Sequence, residues 1–129
     1  MGHPSEDLLR RGYDAFGKGD MQTLREVFDP EVIWHAPGRS QLAGDHRGVD
    51  TVLGYFGRTV ELSGGTFRVE VHDVVANDEH AVGLHSVHAE RESRTLEDRN
   101  TLVCHVRNGK VTEVWQFWTD LYAADEFFG

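Results

Sequence analysis

Residues 96–119 read LEDRNTLVCHVRNGKVTEVWQFWT, and this stretch decides the fold. β-branched and aromatic residues crowd it, and Asn108-Gly109 interrupts it with a residue pair suited to a two-residue hairpin turn. Strands are expected over 96–107 and 110–119. Alternation on the second puts Val114, Gln116, Trp118 and Asp120 on one face, and Glu113, Trp115, Phe117 and Thr119 on the other. Both faces carry aromatic side chains, so neither suits water. The Trp118–Asp120 face is taken to line an interior. The opposite face is expected to be covered by a second copy of the chain, giving a homodimer through the sheet.

Upstream of the hairpin, strands are expected over 67–76 and 79–91, with turns at Asn77-Asp78 and Glu92–Thr95. Before Ser63-Gly64-Gly65 the apolar spacing changes from strand-like to helical. Val49, Val52, Leu53, Phe56 and Val60 mark one helix. Met21, Leu24, Val27 and Phe28 mark another, capped by Asp20 and stopped by Asp29-Pro30. Leu9, Tyr13 and Phe16 mark the first, opened by Pro4-Ser5-Glu6-Asp7 with Ser5 as its cap. Glu31–Ala36 reads as a short strand, and residues 38–48 as a loop that is either a lid over the pocket or a plain solvated connection. Residues 120–129 form a short helical or irregular tail. The fold class is therefore α+β: a cone-shaped, curved antiparallel sheet packed against three helices, with an internal pocket.

The chain has 129 residues, which suits one domain over 1–129. Apolar residues at 39% and charged residues at 27% fit a globular protein. Thirteen Lys and Arg against 22 Asp and Glu give a net charge of −9, which disfavours nucleic acid and anionic lipid as partners. No apolar run approaches the ~20 residues of a membrane-spanning helix. Met1–Arg11, which holds Glu6 and Asp7, does not read as a secretory leader, so a cytoplasmic protein is expected. The single cysteine, Cys104, sits among Leu102, Val103 and Val106 and reads as a small buried hydrophobe. The glycine signatures of nucleotide binding and of serine hydrolases are missing, so no cofactor is expected.

Several positions carry a family likeness. They are Tyr13 in the first helix, Gly19-Asp20 before the second, Trp34-His35-Ala36-Pro37-Gly38 at the first strand end, Gly44 and Gly48 before the third helix, and Asn108-Gly109-Lys110-Val111 before the last strand. In this order they resemble the nuclear transport factor 2-like (NTF2-like) superfamily, most nearly its SnoaL-like polyketide cyclase and ketosteroid-isomerase-related branch. The resemblance implies proton-transfer chemistry without a redox cofactor on a hydrophobic carbonyl compound, polyketides among the candidates. Aldol-type cyclisation, isomerisation and dehydration are the reaction types. Tyr13 matches the isomerases' helix tyrosine, an oxyanion donor, and His35 stands where their carboxylate base would be. Thr101 falls near their second donor, an aspartic acid, so steroid isomerisation is not implied. Asp120, in Trp118-Thr119-Asp120, matches the proposed general acid/base of the cyclases. Trp115-Gln116-Phe117 replaces the Trp-x-Asp of limonene-type epoxide hydrolases, so epoxide hydrolysis is set aside.

His35, Asp120 and Tyr13 are thus the catalytic candidates. Imidazole titrates near neutrality, and a carboxylate beside it would orient it. The plainer roles are a strand-end histidine for His35, a helix N-cap for Asp120 and core packing for Tyr13. Trp34, Phe56, His88, Asn100 and Trp118 are the candidate ligand-binding residues. His88 shares a strand face with Val82, Leu84 and Ser86, and Asn100 shares one with Asp98, Leu102 and Cys104. Asn100 equally suits a cross-strand or solvent-facing polar role. His72, His80, His85, His88 and His105 raise the question of a metal, but His85 and His88 face opposite ways on a regular strand, and none is expected. The alternative to an enzyme is a non-catalytic dimer that holds an apolar ligand in its cavity.

Overall fold

The computed structural model describes residues 3–129; the first two residues of the Met1–Arg11 stretch lie outside it. Helices α1 (Pro4–Lys18) and α2 (Met21–Val27) lead into strand β1 (Phe28–Ala36). Then follow β2 (Gly44–Arg47), α3 (Val49–Leu62), β3 (Arg68–Ala76), β4 (His80–Arg91), β5 (Arg94–Arg107), β6 (Lys110–Trp118) and α4 (Leu121–Phe128). The six strands form one sheet in the order β2-β1-β6-β5-β4-β3. The fold is the expected α+β cone, a curved sheet packed against helices.

The hairpin closes as the sequence dictates. Asn108 and Gly109 take φ of 53° and 73°, the two positive values of a type I′ turn. Register shifts at Val71/Asp73, His105/Val106 and Phe28/Ile33 mark bulges, which bend the sheet around its helices. α1 lies over β3 and β4, and α3 over β1. The core they enclose includes Leu24, Val27, Val32, Val52, Val111 and Val114, each at most 1% exposed.

Three local expectations are corrected. Ser5 does not cap α1; His3 does, its Nδ1 accepting from the Ser5 amide at 3.0 Å. The stretch 38–48 is not all loop, because Gly44–Arg47 pairs antiparallel with β1. The sheet is not wholly antiparallel either: β1 runs parallel to β6, with Trp34 opposite Val114 and His35 opposite Trp115. The tail is a regular helix, α4, whose N-cap is Asp120. Among the described residues no helix is long and apolar enough to cross a membrane.

Candidate functional site

The inner face of the sheet carries Ala81, Gly83, His85, Val87 and Ala89 from β4 and Asn100, Leu102 and Cys104 from β5. From β6 it carries Val114 and Gln116. Small residues on β4 leave room for α1 to press a large one against it. Tyr13 fills that room. A Cβ on Gly83 would collide with the Tyr13 hydroxyl and ring, so glycine there is what lets the tyrosine lie across the strand. The Tyr13 hydroxyl meets His85 Nδ1 at 2.8 Å, and the two rings meet edge to face at 5.2 Å.

Burial sets the protonation of this pair. His85 is 6% exposed, and desolvation pushes its pKa down to about 4, so the imidazole is neutral at pH 7. Burial pushes the Tyr13 hydroxyl upward, so it keeps its proton. The Cys104 thiol is raised to about 12 by the same cause and is no nucleophile.

Beside the pair runs a chain of buried polar groups. The Trp34 indole N–H and the Tyr55 hydroxyl both donate to Gln116 Oε1, at 3.1 and 2.7 Å. Gln116 Nε2 donates to Asn100 Oδ1 at 2.7 Å. Asn100 Nδ2, in a side chain 2% exposed, has no partner among the described residues. An orphaned buried donor costs roughly 1–3 kcal/mol, so it calls for an explanation.

Tyr13, His85, Trp34, Tyr55 and Gln116 border a cavity of about 80 Å³; Asn100 does not reach it. Its other walls are almost wholly apolar; Phe56 meets Phe16 and Trp34 edge to face at 5.3 and 5.1 Å. A second chamber of about 30 Å³ lies behind it, and the two share Tyr55, Thr59, Phe67 and Gln116 as common wall. Trp118 lines the second. The segment 37–43 and α4 cover that chamber and are tied to each other. The Asp125 carboxylate accepts from the amides of Arg39 and Ser40, at 2.9 and 3.0 Å, and Gln41 Nε2 donates to the Phe128 carbonyl at 2.8 Å.

Trp34 and Phe56 border the larger chamber, with Tyr13; Asn100 lies on the inner face. Three other candidates lie elsewhere. His35 is on the outer face of the sheet: its Nδ1 meets Asp45 at 2.7 Å, its Nε2 meets Glu113 at 2.5 Å, and its ring stacks on Trp115 at 5.1 Å. Burial opposes its charge, but the hydrogen bonds to Glu113 and Asp45 outweigh burial and raise its pKa. Asp120 is exposed, and its carboxylate accepts from the Ala123 amide at 3.1 Å as the cap of α4. The expected couple of His35 with Asp120 therefore does not form. His88 also faces outward, between Glu90 and Glu97. Among the described residues no group of three or more His, Cys, Asp or Glu is arranged to hold a metal ion.

Sequence reasoning missed His85 and gave no role to Gln116. The signal for His85 was available. It shares a strand face with Ala81, Gly83 and Ala89, and small residues mark the face against which a helix packs.

A family model for the SnoaL-like domain matches residues 9–114. The chain is 34% identical over 123 residues to an uncharacterized protein of Mycobacterium tuberculosis, Rv0034, covering 95% of this chain and 94% of that one. Among solved structures, Bal32a from a soil-derived mobile gene cassette is 40% identical, with a TM-score of 0.94 over 98% of this chain and 97% of that chain. An NTF2-like protein from Burkholderia xenovorans LB400 shares the fold at 23% identity, with a TM-score of 0.82 over 100% and 98%. The chain belongs to the SnoaL-like domain family.

Proposed function

We propose that this protein is a cofactor-independent enzyme that moves protons on a hydrophobic carbonyl compound held in the inner cavity. Aldol-type cyclisation, isomerisation and dehydration are the reaction types, with polyketide-like compounds within the substrate class. One observation carries the reading: a hydroxyl–imidazole hydrogen bond, Tyr13 to His85, at the wall of a mostly apolar cavity.

The chemistry follows from that contact. With its proton on Nδ1, His85 donates to the Tyr13 oxygen. Nε2 is then free to take a proton from the carbon beside the substrate carbonyl. The Tyr13 O–H donates to the carbonyl oxygen as enolate charge develops there. Above about pH 4 His85 is neutral and able to accept a proton, although the burial that keeps it neutral also makes it a weaker base than an ordinary imidazole. An apolar site strengthens the tyrosine's contribution, because water does not compete for the developing charge. Trp34 and Phe56 supply the apolar walls. A chamber of about 80 Å³ is below the roughly 150 Å³ that admits benzene in an apolar protein cavity. A substrate of that size or larger therefore requires side chains of the cavity wall to move.

The test is α-proton exchange of hydrophobic ketones and β-diketones in D2O, followed by proton NMR. Exchange should be faster than in buffer, and His85→Gln and Tyr13→Phe should each slow it by roughly 10²–10⁴-fold while both variants stay folded. Wild-type exchange at the buffer rate, with a ketone bound, would instead assign the cavity to a non-catalytic binder.

The outer face supports a homodimer. Phe117 is 52% exposed there beside half-buried Trp115, an arrangement that a second sheet would cover. Phe117→Glu should shift sedimentation toward the monomer. The buried, unpaired Cys104 suits a reducing compartment such as the cytoplasm.

A further inference from the structure

We propose that His80 and His105, on the outer face of the sheet, together bind a late transition-metal ion, Zn2+ or Cu2+, and that Asn77 holds His80 in the ligating tautomer. The inference uses no residue of the cavity and stands apart from the catalytic reading.

The register brings the two histidines together. His80 opens β4 and pairs directly with His105 on β5. Their neighbours Ala81 and Cys104 form the next cross-strand pair and lie buried on the inner face, so both histidines point outward. No spacing along a single strand reveals such a pair; only the pairing of β4 with β5 does. The two imidazole rings stand with their centroids 5.1 Å apart. Imidazoles bound to one tetrahedral zinc, each through a nitrogen ~2.1 Å from the metal, place their centroids roughly 5 Å apart. The strands thus hold the pair at the separation that one ion requires.

The turn before β4 settles the tautomer of His80. Asn77 Oδ1 accepts from the backbone amides of Glu79 and His80, at 3.0 and 2.9 Å, which fixes that atom as the amide oxygen. The same oxygen meets His80 Nδ1 at 3.2 Å. An amide oxygen cannot donate, so Nδ1 carries the proton and the lone pair of neutral His80 is on Nε2. A metal-binding histidine is held in this way, its other ring nitrogen donating to an acceptor. His105 is exposed and leans on Trp115, with ring centroids 4.8 Å apart, so its ring can turn a nitrogen to the same ion. Glu113, opposite His105 on β6, adds negative charge nearby while its Oε2 stays with His35.

Two nitrogen donors favour zinc, copper or nickel over calcium and magnesium, which take oxygen ligands. Water fills the remaining positions on the ion. Phe117 pairs with Thr101, four residues from His105 and about 13 Å along the strand, so a second copy seated on Phe117 need not cover the pair.

Zn2+ titrated calorimetrically into the metal-free protein, bearing no added histidine tag, should show binding that His80→Gln and His105→Gln each weaken at least about ten-fold, equivalent to about 1.4 kcal/mol. His88→Gln, which alters the outward histidine between Glu90 and Glu97, should leave that binding as it is. Asn77→Asp keeps the acceptor and adds charge behind the imidazole, so it should tighten binding. Cu2+ locates the ion with both ligands intact. Bound against His105, it should quench the fluorescence of Trp115 in wild type, and Trp115→Phe should lose most of that quenching; this decides the matter if a histidine variant does not fold. Binding unchanged in both histidine variants, binding lost in His88→Gln alone, quenching that survives in Trp115→Phe, or no Zn2+ binding at millimolar concentration overturns the proposal. No gain in Asn77→Asp overturns the role given to Asn77.

Discussion

The two faces of the sheet treat histidine in opposite ways. On the inner face His85 has one neutral partner, the Tyr13 hydroxyl, and burial drives its pKa down to about 4. On the outer face His35 sits between the carboxylates of Asp45 and Glu113, and its pKa is raised despite partial burial. The same side chain is thus a neutral imidazole within and a cation-favouring group without. Identity alone does not make a histidine a base in a pocket. The strand face it occupies does, because the face decides whether desolvation or a carboxylate dominates.

The largest consequence of this contrast is in stability against pH. His85 has a folded pKa of about 4 against an ordinary 6.5. The unfolded chain therefore binds the extra proton between those values, and stability falls as pH drops through that window. A gap of about two and a half units corresponds to about 3 kcal/mol, fully present above pH ~6.5 and lost by pH ~4. Denaturant unfolding of wild type and His85→Gln across that range measures it: the variant should lack most of the acid-side loss. Parallel profiles would mean that water or a carboxylate reaches His85, and the distinction between the faces would fail.

Gly83→Ala tests the geometric half of the contrast. The new methyl would meet the Tyr13 hydroxyl and ring, so the tyrosine must leave or the strand must shift, at about 2 kcal/mol. In a Tyr13→Ala background the same change should cost almost nothing, and this non-additivity is the measurement. α-Proton exchange should fall with the single variant as well, since Tyr13 would no longer lie beside the substrate oxygen.

Much of the cone was legible in the sequence, and the reason is periodicity. Strands expected over 67–76, 79–91, 96–107 and 110–119 stand at 68–76, 80–91, 94–107 and 110–118. Long alternating runs between strong turn residues leave little freedom. β2 was illegible because Gly44–Arg47 has no alternating pattern; it forms by pairing with the edge that β1 offers. The parallel pairing of β1 with β6 was hidden for a related reason, being a contact between residues some 80 positions apart, such as Trp34 and Val114. The error at His35 was of another kind. Trp34 and His35 were both expected at the pocket, although adjacent strand residues point to opposite faces. Once Trp34 is inside, bonded to Gln116, His35 must be outside. For β4 the sequence set the two faces apart but not which was inner. The helix settles that, because Tyr13 needs the gap at Gly83.

The smallest effect expected is also the one that isolates the outer face. His35→Gln removes the charge between Asp45 and Glu113 but leaves the cavity untouched. Its side chain is 25% exposed and its partners more so, so solvent screens much of the attraction, and the loss at pH 7 should stay below about 1 kcal/mol. The pH dependence has the opposite sign to that of His85. A raised folded pKa means that the folded state holds the extra proton, so the contribution is full below pH ~6.5 and disappears as pH rises through the folded value. The gap between wild type and His35→Gln should therefore close as pH rises through the folded value, whereas that between wild type and His85→Gln changes on the acid side, between pH ~6.5 and ~4. Ketone exchange should be unchanged in His35→Gln, because no substrate in the cavity reaches across the sheet. A His35→Gln variant that loses exchange while keeping its fold would move the proton chemistry to the outer face and leave the Tyr13–His85 contact as packing.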